Sequence, residues 1–160
     1  MSHSLVAYFS VTGSTERVAQ NLVQAIGAHC YKIEPEKPYT AEDLNWTNKK
    51  SRSSVEMSDL NSRPKIKKPL PELDTVQYIY VGFPIWWYRA PSIINSFLES
   101  FDLTDKVIIP FATSGGSTMG QTNVALSPSC VGAVLKEGKR FSVHVSVEEL
   151  ARWAQTFELH

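Results

Sequence analysis

Short apolar runs alternate with stretches of helical spacing along this chain, and that alternation limits its fold more than any other feature. "SLVAYF" (4–9) is apolar, bounded by turn chemistry, and reads as a buried strand. Val18, Leu22 and Ile26 then recur at four-residue spacing, Ala19 and Val23 widen the stripe, and Gly27 closes it, which predicts an amphipathic helix. "CYKIE" (30–34) is a second, shorter strand ending before Pro35. "TVQYIYVGFP" (75–84) is the clearest strand in the chain. Pro91 suits the first position of a helix whose face is Ile93, Ile94, Phe97, Leu98 and Phe101. "KVIIPFAT" (106–113) is a fourth strand, with Pro110 expected near its end or at a bulge because proline has no N–H to donate. "QTNVALS" (121–127) is a short helix cut by Pro128. A fifth strand lies within 130–145, at either "AVLK" or "RFSVHV" around Gly138. Ser146 with Glu149 forms a capping box ahead of a helical face made by Val147, Leu150, Trp153, Ala154 and Phe157.

Strands alternating with helices require right-handed βαβ crossovers, hence an α/β fold with a parallel sheet of about five strands between helical layers. The 160 residues are most simply one domain, 1–160, and 42% apolar residues with 11% aromatics suit a globular protein. No charged leader with an apolar core precedes the first strand, and no apolar stretch approaches the roughly 18 to 20 residues of a membrane span, so a cytoplasmic protein is expected. A formal net charge of zero argues against broad attraction to nucleic acid or anionic membrane. Cys30 and Cys130 have no metal-ligand spacing and read as buried structural thiols, while His3, His29, His144 and His160 show no useful spacing, so no metal is expected. Residues 35–73 lack periodicity and read as an extended connection with one or two helical turns, "TAEDLNW" being one candidate start. A local basic excess between Lys49 and Lys68 reads either as a solvated charged surface or as a lure for a nicotinamide phosphate or an acidic protein.

Open parallel sheets bind ligands beyond the carboxyl ends of their strands, and three unusual loops follow such ends. In the first, Ser10, Val11, Thr12, Gly13, Ser14 and Thr15 place four hydroxyls and a flexible glycine before a helix N-terminus. That is either ordinary helix capping or an anion cradle of hydroxyls, free N–H groups and a favourable helix dipole. The second, Pro84, Ile85, Trp86, Trp87 and Tyr88, strings three large rings just past a buried strand. Successive side chains diverge, so at least one ring stays near solvent, either at an interface or over something flat. In the third, Thr113, Ser114, Gly115 and Gly116 make either a mobile glycine loop or a backbone able to approach the edge of a heterocycle closely. Together the loops describe a ligand with a phosphate at one end and a planar ring system at the other, as in flavin mononucleotide (FMN).

The same residues carry a resemblance. "SVTGST" is similar to the phosphate loop of the flavodoxin family, and "GFPIWW", "PFATSGG" and Arg63–Pro64 resemble its small bacterial flavodoxin-like flavoproteins, in order over nearly the whole chain. The resemblance implies a three-layer α/β/α fold, a five-stranded sheet of order 2-1-3-4-5 and non-covalent FMN. On it, Ser10 to Thr15 hold the phosphate, Trp86 or Trp87 stacks on the isoalloxazine, and Thr113 to Gly116 line its polar edge. The flavin then carries the redox chemistry while the protein positions and tunes it.

Departures from that pattern bear on function. Electron-carrying flavodoxins are typically strongly acidic, whereas this chain is neutral. "WWYRAP" lacks the glycine whose peptide flip stabilises the one-electron-reduced flavin in many flavodoxins, and the third loop lacks the tyrosine that often covers the ring. Two-electron traffic linked to NAD(P)H or a quinone is therefore expected to be easier. The open ring face is expected to draw partly on the 35–73 connection, with Tyr39 and Trp46 as candidates. A one-electron shuttle serving a redox partner protein, a flavin-dependent reductase, and a regulatory or binding module with structural or no flavin all stay open.

Overall fold

In the computed structural model, which describes residues 3–114 and 118–158, the two clearest apolar runs lie side by side. β1 (Ser4–Tyr8) pairs in parallel with β3 (Tyr78–Pro84), and β3 with β4 (Val107–Thr113), all seven residues of one matched to all seven of the other. β2 (His29–Lys32) flanks β1, and β5 (Val134–Leu135) and β6 (Lys139–Phe141) both pair in parallel with β4. The order is therefore β2-β1-β3-β4-β5, the expected one, with β6 as an additional strand.

Period-two alternation divides the core between the two faces of this sheet. Leu5, Ala7, Ile79, Val81, Phe83, Ile108 and Ala112 point one way and pack with α3 (Ser92–Glu99) through Ile93, Ile94, Phe97 and Leu98. Val6, Tyr8, Tyr80, Ile109 and Phe111 point the other way, against α1 (Ser14–Ile26) and α5 (Val147–Gln155). Each fully buried large aliphatic or aromatic side chain stabilises by about 1.5–3 kcal/mol. Gly82 belongs to the second face, where a Cβ would fall inside the Phe111 ring, so no larger residue fits there.

Local signals end the helices where the sequence puts them. Gly27 takes the left-handed conformation, φ 65°, and returns its N–H to Val23 O at 2.9 Å. Ser146 Oγ accepts from Glu149 N at 3.1 Å and starts α5. Pro91 sits at the N-cap of α3, one position earlier than expected. α4 (Thr122–Leu126) runs into a 3₁₀ turn, Ser127–Ser129, that contains Pro128.

One expectation is narrowed and two are corrected. Pro110 lies in the middle of β4 rather than near its end, and of the two expected placements the bulge is the one found: the outer strand carries one extra residue opposite Ile109 and Pro110. Ile108 O accepts from Lys136 N at 2.8 Å, so Pro110 two residues on turns its donorless nitrogen to the same side. There the outer strand divides: β5 stops at Leu135 and β6 starts at Lys139, and the two alternative readings of the fifth strand are both strands. Cys130 is buried, which pushes its thiol up to about 11, but Cys30 on the outermost strand is exposed. In "TAEDLNW", Thr40 and Asp43 exchange side chain–backbone hydrogen bonds of 3.0 and 3.1 Å over a pair of turns. The helix of the connection, α2 (Arg52–Ser58), begins later, behind Ser51.

Candidate functional site

β1, β3 and β4 end together, and hydrogen bonds tie the loops that leave them. Phe9 N donates to Gly82 O at 2.9 Å, and Ile85 N to Thr113 O at 3.1 Å. Thr15 Oγ1 and Thr113 Oγ1, both buried, lie 2.7 Å apart. All three sequence-predicted loops are thereby anchored to one rim.

Within the first loop, Gly13 is in the left-handed conformation at φ 95° and a Cβ there would meet nothing within 4 Å, so the loop turns beside open space. Ser10 Oγ accepts from Gly13 N and Glu16 N, each at 3.2 Å, which makes Ser10 a cap for the start of α1. Among the described residues the N–H groups of Thr12, Ser14 and Thr15 meet no protein acceptor. They stand at the positive end of a 13-residue helix, the arrangement that receives anions. The Glu16 carboxylate nearby is engaged elsewhere: it accepts from Tyr8 Oη at 3.1 Å and lies 3.4 Å from Lys32 Nζ. Burial, and then the Glu16 hydrogen bond, push the Tyr8 phenol up to about 12.

The second loop is a tight turn. Trp86 N donates to Arg89 O at 2.9 Å and Arg89 N to Trp86 O at 3.2 Å. Trp87 at φ 49° and Tyr88 at φ 65° both take the left-handed conformation, the type I′ geometry that glycine and asparagine usually supply. Surrounding contacts hold it. Trp86 packs edge-on against Phe9 and Tyr39, with ring centroids 5.6 and 5.5 Å away. Tyr39 Oη donates to Glu56, whose other oxygen accepts from Arg52 Nε at 2.9 Å. Burial, followed by the Glu56 bond, holds the Tyr39 phenol far above the ordinary range. Buried Arg89 donates to Met57 O at 2.8 Å, and Gln121 N to Tyr88 O at 2.7 Å.

A cleft of about 570 Å³ joins the three loops. Val11, Thr12 and Ser14 line it from the first, Pro84, Ile85 and Trp86 from the second, Thr113 and Ser114 from the third. Ser10 faces a different cleft of about 640 Å³, shared with Glu34, Tyr39 and Lys67. Trp87 and Tyr88 face a third, of about 520 Å³, which meets the first along Ile85 and Trp86. Gly13 is exposed and Thr15 lies beneath the loop; Gly115 and Gly116 fall outside the described residues.

The sequence reading did not find Arg140, Ser142 and Val143, which complete the wall of the 570 Å³ cleft. They lie in and just past β6, inside the run "RFSVHV" rather than beyond its end, so the undecided fifth strand hid them. Arg140 is half-buried and, among the described residues, makes no ion pair, so it offers a cation to an anionic ligand. Basic residues of the connection are partly spent elsewhere: Arg52 pairs with Glu56, Arg63 with Glu99 at 2.9 Å, and Lys67 with Glu34 at 3.6 Å. Among the described residues no cluster of three or more His, Cys, Asp or Glu can hold a metal, and no helix is long and apolar enough to cross a membrane.

Comparison with known proteins matches residues 3–157 to the model of a flavodoxin family. A candidate flavoprotein from Bacteroides eggerthii DSM 20697 is 42% identical, with 98% of each chain covered and a TM-score of 0.91. Another, from Bacteroides uniformis ATCC 8492, is 45% identical over 95% of this chain and 97% of that one, with a TM-score of 0.89. A flavoprotein from Lactobacillus acidophilus NCFM, crystallised in complex with FMN, is 16% identical over 94% and 97% of the two chains, with a TM-score of 0.71, and is alike in fold. None of the curated proteins compared matches the chain. With the sheet order, the rim of loops and a family match spanning nearly its whole length, this chain belongs to the flavodoxin family.

Proposed function

We propose that the chain binds FMN non-covalently at the rim of β1, β3 and β4 and acts as a redox protein. The observation that carries this reading is the single cleft shared by the hydroxyl-bearing 10–15 loop, Trp86 and the Thr113–Ser114 loop. Its volume falls within the roughly 300–1,000 Å³ of small-ligand sites. The fit is chemical as well. The unpaired N–H groups of Thr12, Ser14 and Thr15, with the Thr12 and Ser14 hydroxyls, suit a phosphate dianion. Trp86, wedged by Phe9 and Tyr39, offers apolar surface to a flat ring, and Thr113 and Ser114 offer polar groups to that ring's edge. When bound, the flavin supplies the electron and hydride chemistry; the protein residues bind it, orient it and set its electrostatic surroundings.

Between the two redox roles, electron shuttle and flavin-dependent reductase, the zero net charge and the absence of glycine from "WWYRAP" favour the second, with two-electron exchange with NAD(P)H or a quinone. The free thiols of Cys30 and Cys130 suit a reducing, cytoplasmic setting. The test is a titration of flavin-free protein with FMN, followed by potentiometry of the loaded form. Stoichiometric uptake and a predominantly two-electron reduction are expected. Failure to take up FMN overturns the binding reading, and a large, stable one-electron signal overturns the reductase reading.

A further inference from the structure

The 520 Å³ cleft on the far side of Trp86 has a composition unlike that of the flavin cleft. Three large rings reach solvent around it, with Trp46 74% exposed, Trp87 42% and Tyr88 68%. A soluble chain seldom clusters so much aromatic surface without use for it. The turn that presents two of these rings holds both in the left-handed conformation, and backbone of that kind concentrates at binding sites. Ser53, only 2% exposed, lines the same cleft, and its buried Oγ has no hydrogen-bond partner among the described residues. An orphaned buried hydroxyl destabilises a fold, so a partner in some bound state explains why it is there. Among the described residues no charged one lines the cleft, so these offer no cation to a pyrophosphate or a carboxylate.

We propose that this cleft binds a neutral, planar aromatic carbonyl compound of the quinone class, its ring against Trp46 and the Trp87–Tyr88 turn and its carbonyl oxygen accepting from Ser53 Oγ. Its role as the acceptor site of the flavin cleft rests on the function proposed above; the binding itself does not. Trp86 is the wall common to both clefts, which sets the acceptor beside the flavin seat.

The test is calorimetric titration of the FMN-loaded protein, and of the flavin-free protein, with 2-methyl-1,4-naphthoquinone. One saturable site is expected. Trp46→Ala, at an exposed position with little to lose in folding, weakens binding at least about tenfold, and Ser53→Ala about three- to tenfold. Ser53→Ala also leaves the unfolding midpoint unchanged or raises it, because it removes an unpaired buried hydroxyl, and neither variant changes FMN affinity. Non-saturable uptake, or variants that bind like the parent, overturns the proposal. So does FMN affinity that falls in step with quinone affinity, which makes the cleft part of the flavin seat, or a dimer that Trp46→Ala abolishes. Quinone binding in a chain that takes up no FMN keeps this proposal and overturns the flavin reading.

Discussion

The 10–15 loop and the 86–89 turn leave adjacent strands at one rim and line one cleft, yet they keep their shapes by opposite means. In the loop, each residue suits its place. Gly13 takes φ 95° without a steric penalty, Ser10 caps the helix, and hydroxyls surround unpaired N–H groups. In the turn, Trp87 and Tyr88 occupy a conformation disfavoured for side chains of their size, by about 1–2 kcal/mol per residue. Tertiary contacts impose that geometry: Phe9 and Tyr39 on Trp86, Met57 O on Arg89, Gln121 N on Tyr88 O. The shape of the loop is thus written in six consecutive residues, whereas the aromatic turn needs support from residues scattered between 9 and 121.

Substitutions can break or sharpen this contrast. The largest effect on stability is expected from Thr15→Ala, which leaves buried Thr113 without its hydrogen-bond partner: the unfolding free energy should fall by about 1–3 kcal/mol in a urea melt. Thr12→Ala, at an exposed position, should lower FMN affinity by about tenfold while leaving the melt unchanged. An unchanged affinity would place the phosphate elsewhere. Tyr39→Phe keeps the ring against Trp86 but loses the bond to Glu56, so stability should drop by about 0.5–1.5 kcal/mol with a shift in tryptophan emission. Tyr88→Gly should raise stability by about 1 kcal/mol by relieving the left-handed residue. A neutral or destabilising result would show that the turn is not strained and would remove the contrast.

Alkaline titration compares the two regions through their buried phenols, Tyr8 beside the loop and Tyr39 beside the turn. Both are held above the ordinary phenol value, so the folded state keeps protons that the unfolded chain releases. Their contribution to stability is complete below pH 10 and is lost as pH rises, for Tyr8 through about 12. The fall in unfolding free energy over that window should be smaller in Tyr8→Phe than in the parent.

The same division explains what could be read from the chain in advance. Gly27, the Ser146 cap on Glu149 N and the hydroxyl loop act through neighbours a few residues away, and the sequence pattern located all of them, although the reciprocal Glu149 side-chain bond of a full capping box does not form among the described residues. The alternation of apolar runs with helical stretches predicts the parallel sheet, whereas its order comes from the resemblance to the flavodoxin family. Arg140 was missed because its place depends on register against Ala112, which no local signal near Gly138 reveals. Cys30 was misplaced because edge strands bury only one side, and its side turned out exposed. The positive φ of Trp87 and Tyr88 runs against their intrinsic preference and became visible only with the contacts that enforce it.

The division of the outer strand at Pro110 has a consequence for how molecules of this protein meet. A parallel sheet ends in rows of unpaired amides and carbonyls that can recruit a strand from another chain. Here one border offers only the four residues of β2, and the other is broken into pieces of two and three residues with Gly138 pressed against Pro110 between them. Neither border presents a template long enough to propagate. A proline in the middle of a buried strand therefore doubles as a guard against edge-to-edge polymerisation.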